Sequence, residues 1–97
     1  MPSYIALVSF TDQGARTAKD TVKRADAAKD LAGRFGVKMT NINWTLGQYD
    51  VVTYLDAPDD ASITAFGLAL ASAGNVRTQT LRAFSRDEMS AILAKLP

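Results

Sequence analysis

Four polar side chains in the middle of the chain are best placed to do chemistry: Asn41, Asn43, Asp50 and Tyr54. They lie in two apolar, β-prone runs, residues 37–46 and 49–57, which meet at Gly47-Gln48 and read as a β-hairpin. Side chains two apart on a strand share a face, so Asn41 and Asn43 point the same way. The register predicted below brings Tyr54 onto that face. A few convergent polar groups in a cleft are the ordinary form of a small-molecule site. The same groups would equally serve as a hydrogen-bond network between two packed sheets, and residue type does not choose between these readings. Asp50 is a candidate carboxylate at the mouth of that face. It is also a common turn residue, whose side chain takes backbone amides of its own hairpin or reaches Thr45.

Other chemistries drop out by composition. The chain has no Cys and no His, which removes thiol chemistry, disulfides, imidazole acid–base work and His/Cys metal sites. No metal-ligand cluster, nucleophile–base pair or phosphate loop is evident, and no cofactor is implied. Gly33 and Gly36 mark a helix stop, because a dinucleotide fingerprint needs strand, Gly-rich turn and helix in that order. Arg77 and Arg82 fall on opposite faces of a later strand. Either is able to hold an anion, though an ion pair is the commoner fate. The net charge of +1 gives no electrostatic reason to expect a nucleic acid or a membrane as partner.

The hairpin sets the faces. Gly at the first central position is typical of a two-residue type II′ turn. That turn pairs Leu46 with Tyr49, Thr45 with Asp50, Trp44 with Val51, Asn43 with Val52 and Ile42 with Thr53. One face then carries Ile42, Trp44, Leu46, Tyr49, Val51 and Leu55, and is the core face. The other carries Met39, Asn41, Asn43, Thr45, Asp50, Val52, Tyr54 and Asp56. A longer loop with Gly47 at positive φ is the competing geometry.

The remaining elements position this hairpin. Residues 3–10 form a first strand, apolar at both parities and therefore expected to be covered on both sides. Thr11 caps a helix whose apolar stripe runs Ala15, Ala18, Val22, Ala25, Ala28, Leu31, Ala32 and Phe35. Its other face carries Asp20 with Lys23 and Arg24, Asp26 with Lys29, and Asp30 with Arg34, spaced as helical ion pairs. After Pro58, Asp59 or Asp60 caps a second helix. Residues 61–74 of it hold no charged side chain, so the C-terminal helix or a neighbouring subunit is expected to cover part of it. Gly67 suggests the close approach of another element. Residues 76–84 form a fourth strand. Ser85 and Glu88 have capping-box spacing, and open a last helix with Met89, Ile92, Leu93 and Leu96 on its apolar side.

The 97 residues argue one domain, 1–97, in the order βαββαβα. This is the α+β, ferredoxin-like βαββαβ arrangement with an added C-terminal helix. Crossover handedness puts both long helices on the Trp44 face. The opposite face keeps Met39, Val52 and Tyr54 uncovered, a patch of interaction-site size, and a second copy packing sheet to sheet is the simplest cover. A homo-oligomer follows as an expectation, a dimer or higher. The first residues enter a strand pattern directly and no apolar run approaches membrane-spanning length, so a soluble cytoplasmic protein is the default.

Residues Tyr4–Gly14, Gly47–Asp50, Asp56–Asp59 and Gly74–Thr78 resemble the GYD-domain family over nearly the whole chain. The family's name letters occur as Gly47, Tyr49 and Asp50, with Gln48 between. The resemblance implies a dimeric αβ-barrel-type protein and no settled activity. The Gly47–Asp50 hairpin and the element order are also similar to the ligand-sensing domain of Lrp/AsnC regulators. Those domains oligomerise and bind amino acids between subunits, but no helix-turn-helix is attached here. The expected function is a module that binds a small molecule or serves as an assembly unit. The alternative is a small cofactor-independent enzyme, of oxygenase or isomerase type, working through Asp50, Tyr54 and the Asn residues.

Overall fold

The computed structural model describes residues 1–97. Its strands are β1 (Ser3–Phe10), β2 (Lys38–Trp44), β3 (Val51–Asp56) and β4 (Val76–Ala83), and its helices are α1 (Asp12–Arg16), α2 (Thr21–Arg34), α3 (Asp60–Ser72) and α4 (Arg86–Leu93). All strand pairs are antiparallel, in the order β2-β3-β1-β4. This is the ferredoxin-like arrangement, with β3 inserted between the strands that α1 and α2 connect. No helix is long and apolar enough to cross a membrane.

The core lies between the sheet and the helices α2 and α3. Tyr4, Ala6 and Val8 of β1 and Val51 and Leu55 of β3 meet Ala32 of α2 and Ile63 and Phe66 of α3, all buried. Removing a side chain such as Phe66 or Leu55 from water contributes about 1.5–3 kcal/mol each. Asp59 caps α3 by accepting from the Ser62 amide at 2.8 Å, which holds its carboxyl below the usual carboxylate range. The next residue, Asp60, accepts a 2.5 Å hydrogen bond from the Tyr4 hydroxyl and so ties α3 to β1. That bond, helped by burial, raises the Tyr4 pKa, because losing the proton would set two negative charges face to face.

The first helix is not continuous. It breaks at Thr17 (φ −112°, ψ 32°), and a 3₁₀ turn over Ala18–Asp20 leads into α2. Ala15 and Ala18 are consequently exposed, Val22 is 58% exposed, and only the later part of the expected stripe packs on the sheet. The expected Asp20–Arg24, Asp26–Lys29 and Asp30–Arg34 ion pairs do not form; the one ion pair in the chain is Arg82–Glu88 at 3.4 Å. Arg24 turns instead to the break, donating to the Gly14 carbonyl and to the Thr17 carbonyl, which also accepts the Asp20 amide of the 3₁₀ turn at 2.9 Å.

The hairpin register agrees with the sequence at Ile42–Thr53, Asn43–Val52 and Trp44–Val51. The tip is the longer loop, not a two-residue turn. β2 ends at Trp44, the Thr45 amide donates to the Asp50 carbonyl at 2.9 Å, and Leu46 is fully exposed in the span between. Gly47 takes φ +117°, the positive value that this geometry demands. Met39 is also corrected. A bulge between Met39 and Asn41 sets Met39 opposite Leu55, so it faces the core and not the open side. Tyr49 moves the other way. Its hydroxyl donates to Gln79 Oε1 at 3.0 Å, on the face away from the helices. Gly67 does face β4, but the approach does not require glycine: a Cβ there would sit at an ordinary contact distance, 3.8 Å from the Thr78 hydroxyl oxygen.

Candidate functional site

The sheet face away from α2 and α3 is built in rows by the register. One row runs Leu81, Ile5, Tyr54, Asn41, and the next Gln79, Leu7, Val52, Asn43. Leu81 and Tyr54 are 40% and 41% exposed, and Ile5, Leu7 and Val52 are half-buried. The centre of the face is thus apolar. Asn41, Asn43 and Gln79 border it, with Ser3, Asp56, Ser9 and Arg77 at the same parity further along the strands. An apolar centre ringed by polar groups is the usual anatomy of a protein-binding surface.

Three of the four predicted site residues come together here. Asn41 stands opposite Tyr54, and Asn43 follows two residues along. Asn41 is largely spent on local bonds: its Oδ1 accepts from the Ile42 amide at 2.9 Å and its Nδ2 donates to Asn43 Oδ1 at 3.3 Å. The Tyr54 hydroxyl has no partner in the chain. Asp50 is not part of this group. Its carboxylate accepts a 2.8 Å bond from the Phe10 amide, at the end of β1, while its own amide donates to the Val8 carbonyl. Its neighbours are backbone, as the turn-stabilising reading expects, but they belong to β1 and not to the hairpin.

Arg82 has the commoner fate. It pairs with Glu88, donates to the Ser3 and Ala83 carbonyls, and lies 4.5 Å from the Phe84 ring centroid and 5.7 Å from that of Tyr4. Glu88 completes the capping box: it accepts from the Ser85 amide while the Ser85 hydroxyl accepts from the Glu88 amide. The Ser85 bond and then the Arg82 charge hold the Glu88 carboxyl below its usual range. The helix this opens, α4, buries none of its residues. Phe84, Met89 and Leu93 are 46–52% exposed and Leu96 is 65% exposed. It does not cover α3, whose Leu68 is 68% exposed.

Sequence reasoning missed a cleft on the helix side. A cavity of about 340 Å³ opens between α2, α3 and the sheet, and 18 of its 25 lining residues are hydrophobic. Its signal was available in the small residues Ala25, Ala28, Gly67 and Ala73, which line it from the two helices and leave the sheet incompletely covered.

Two comparisons bear on these surfaces. Residues 4–93 match the GYD domain. A protein of the bacterium Thermus thermophilus is 38% identical over 84 residues, 86% of this chain and 88% of that protein. It is named a glutamine synthetase and cystathionine beta-lyase binding protein.

Proposed function

The chain belongs to the GYD-domain family, and from that premise we propose that it is a non-enzymatic interaction module. It joins a second copy of itself through the open sheet face and binds another protein in that state. The observation that carries the reading is the make-up of that face: Leu81, Ile5, Tyr54, Leu7 and Val52 at the centre, with Asn and Gln around them. The apolar side of α4, uncovered by the rest of the chain, adds to the surface that partners would bury.

The protein partner is a glutamine synthetase or a cystathionine β-lyase, the two enzymes in the name of the relative. The enzyme alternative draws less support. Asp50, the carboxylate that it would rely on, is engaged with the Phe10 amide and stands apart from Asn41, Asn43 and Tyr54.

The experiment is sedimentation velocity at micromolar concentration, first on the chain alone and then mixed with each enzyme. The expected result is an oligomeric boundary for the chain and a faster boundary carrying both components in at least one mixture. A monomeric chain ends the self-assembly part. Independent migration in both mixtures ends the partner assignment.

A further inference from the structure

The cleft under the helices lies on the opposite side of the sheet from the proposed assembly surface and is independent of it. At about 340 Å³ it falls within the roughly 300–1,000 Å³ usual for small-molecule sites. The core face of the sheet supplies its floor, and α2 and α3 its walls. At one end the lining is entirely apolar, with Met39, Leu55, Ile63 and Phe66.

The other end is polar in a specific way. Trp44 Nε1 donates to the Thr21 hydroxyl at 3.0 Å, so the Thr21 oxygen is used as an acceptor while its own hydrogen has no acceptor in the chain. Arg24 stands one helical turn on, half-buried, with its guanidinium 5.6 Å from the Phe10 ring centroid. Arginine carries five N–H groups. Three are used here, two from Nη1 to the Thr17 carbonyl and hydroxyl (2.8 and 2.9 Å) and one from Nη2 to the Gly14 carbonyl (3.1 Å). Two remain, and no carboxylate lies within 4 Å to balance the charge. The geometry therefore points to a binding site for an amphipathic carboxylate. Its acid group meets Arg24 and Thr21, and its apolar body lies along the cleft toward Phe66.

Three features support this chemistry together. A guanidinium with two N–H groups unused and no carboxylate beside it favours an anion, because its hydrogen bonds to a carboxylate are of the stronger, charge-assisted kind. Its position is fixed in advance by the broken helix, so little ordering cost falls on binding. The lining offers a long apolar body no polar partner between the Trp44 end and Phe66 except threonine hydroxyls such as Thr53 and Thr78.

Trp44 lines the cleft and is the sole Trp, so its fluorescence reports occupancy directly. The test titrates the full chain with decanoate and with decanol, both below micelle-forming concentrations. Decanoate is expected to give a saturable change and to bind roughly tenfold or more tightly than decanol, the difference a charged hydrogen bond makes. Arg24→Gln should bring decanoate down to the level of decanol. Because Arg24 also holds the Gly14 and Thr17 carbonyls, Thr21→Val is the second variant. It leaves those bonds in place and should weaken decanoate more than decanol. Ala28→Phe fills the cleft from α2 and should abolish the response to both. No saturable response to decanoate, equal affinity for the acid and the alcohol, or a decanoate response that survives Ala28→Phe would each overturn the assignment.

Discussion

The Asp50 carboxylate accepts the Phe10 amide at 2.8 Å, joining the hairpin loop to the end of a strand forty residues earlier. An unpaired amide in a part-buried site costs about 1–3 kcal/mol. Asp50→Ala should destabilise by that amount, and Asp50→Asn by clearly less, since its Oδ1 still accepts. Urea unfolding of the two variants checks this. Equal and negligible losses would return Asp50 to the list of candidate ligand groups.

Gly14 offers a test in which two effects oppose each other. Replacing glycine by alanine inside a helix normally gains up to about 1 kcal/mol. Here an added Cβ would fall 2.0 Å from the Asn75 carbonyl oxygen, a backbone atom without freedom to swing away. Gly14→Ala is therefore expected to destabilise by about 3 kcal/mol, measured as a lowered midpoint in thermal or urea unfolding. A stabilised variant would mean that the α1–β4 junction yields easily.

Gly47 isolates the backbone term. Nothing lies within 4 Å of a Cβ built there, so a larger side chain meets no obstacle. The cost of Gly47→Val comes from φ +117° alone, and about 1 kcal/mol or more is expected from the same unfolding measurement. An unchanged midpoint would show that the loop rearranges without cost.

Glu88 makes α4 sensitive to acid. Its carboxyl is held below the ordinary value of 4.5, chiefly by the Ser85 amide. A depressed folded-state pKa means that the ionised form is favoured by the fold. Its contribution is present above the unfolded value and lost as pH falls through the folded one. Circular dichroism should show α4 helicity falling as pH drops below 4.5, with Glu88→Gln already lowered at neutral pH and flatter across that range. Parallel curves for the two proteins would remove Glu88 as the cause.

Val52 sits in the centre of the open face, opposite Leu7 and Asn43. Val52→Glu would place an unpaired carboxylate in the proposed contact between copies, at a cost of several kcal/mol to association, on the order of 3–5. The fold itself should tolerate it, because that face is not the chain's own core. Sedimentation should show a smaller species with unchanged circular dichroism. An unaltered oligomer mass would exclude this face.

What the sequence displayed and what it hid follow physical lines. The strand register at Ile42, Asn43 and Trp44, a cap at Asp59 or Asp60 (the structure gives it to Asp59) and the Ser85–Glu88 capping box were legible, because each rests on contacts between residues near in sequence. The bulge at Thr40 was not. An inserted residue leaves the alternation intact on either side and only shifts its phase, so Met39 was assigned by parity to the wrong face. Its apolar side chain was the clue. The break at Thr17 was concealed because the apolar spacing continues through it, although Gly14 and Thr17 are both weak helix formers. Of the site residues, Asn41, Asn43 and Tyr54 were placed together correctly by strand parity. Asp50 and Tyr49 left that pattern because a loop, not a ladder, carries them to their partners on β1 and β4.

The same bulge bears on how the sheet can grow. β2 and β4 are its two outer strands, and each carries backbone groups with no neighbour on one side. At β2 the extra residue at Thr40 interrupts the repeat, and the Thr40 hydroxyl is turned back onto the Tyr54 carbonyl. An irregular edge of this kind is a poor template for another strand. β4 pairs with β1 over eight residues without such an interruption, and Arg77 and Arg82 are its charged positions. The two rims therefore differ as templates for strand addition: that of β2 is interrupted by its bulge, whereas that of β4 is continuous and guarded only by Arg77 and Arg82.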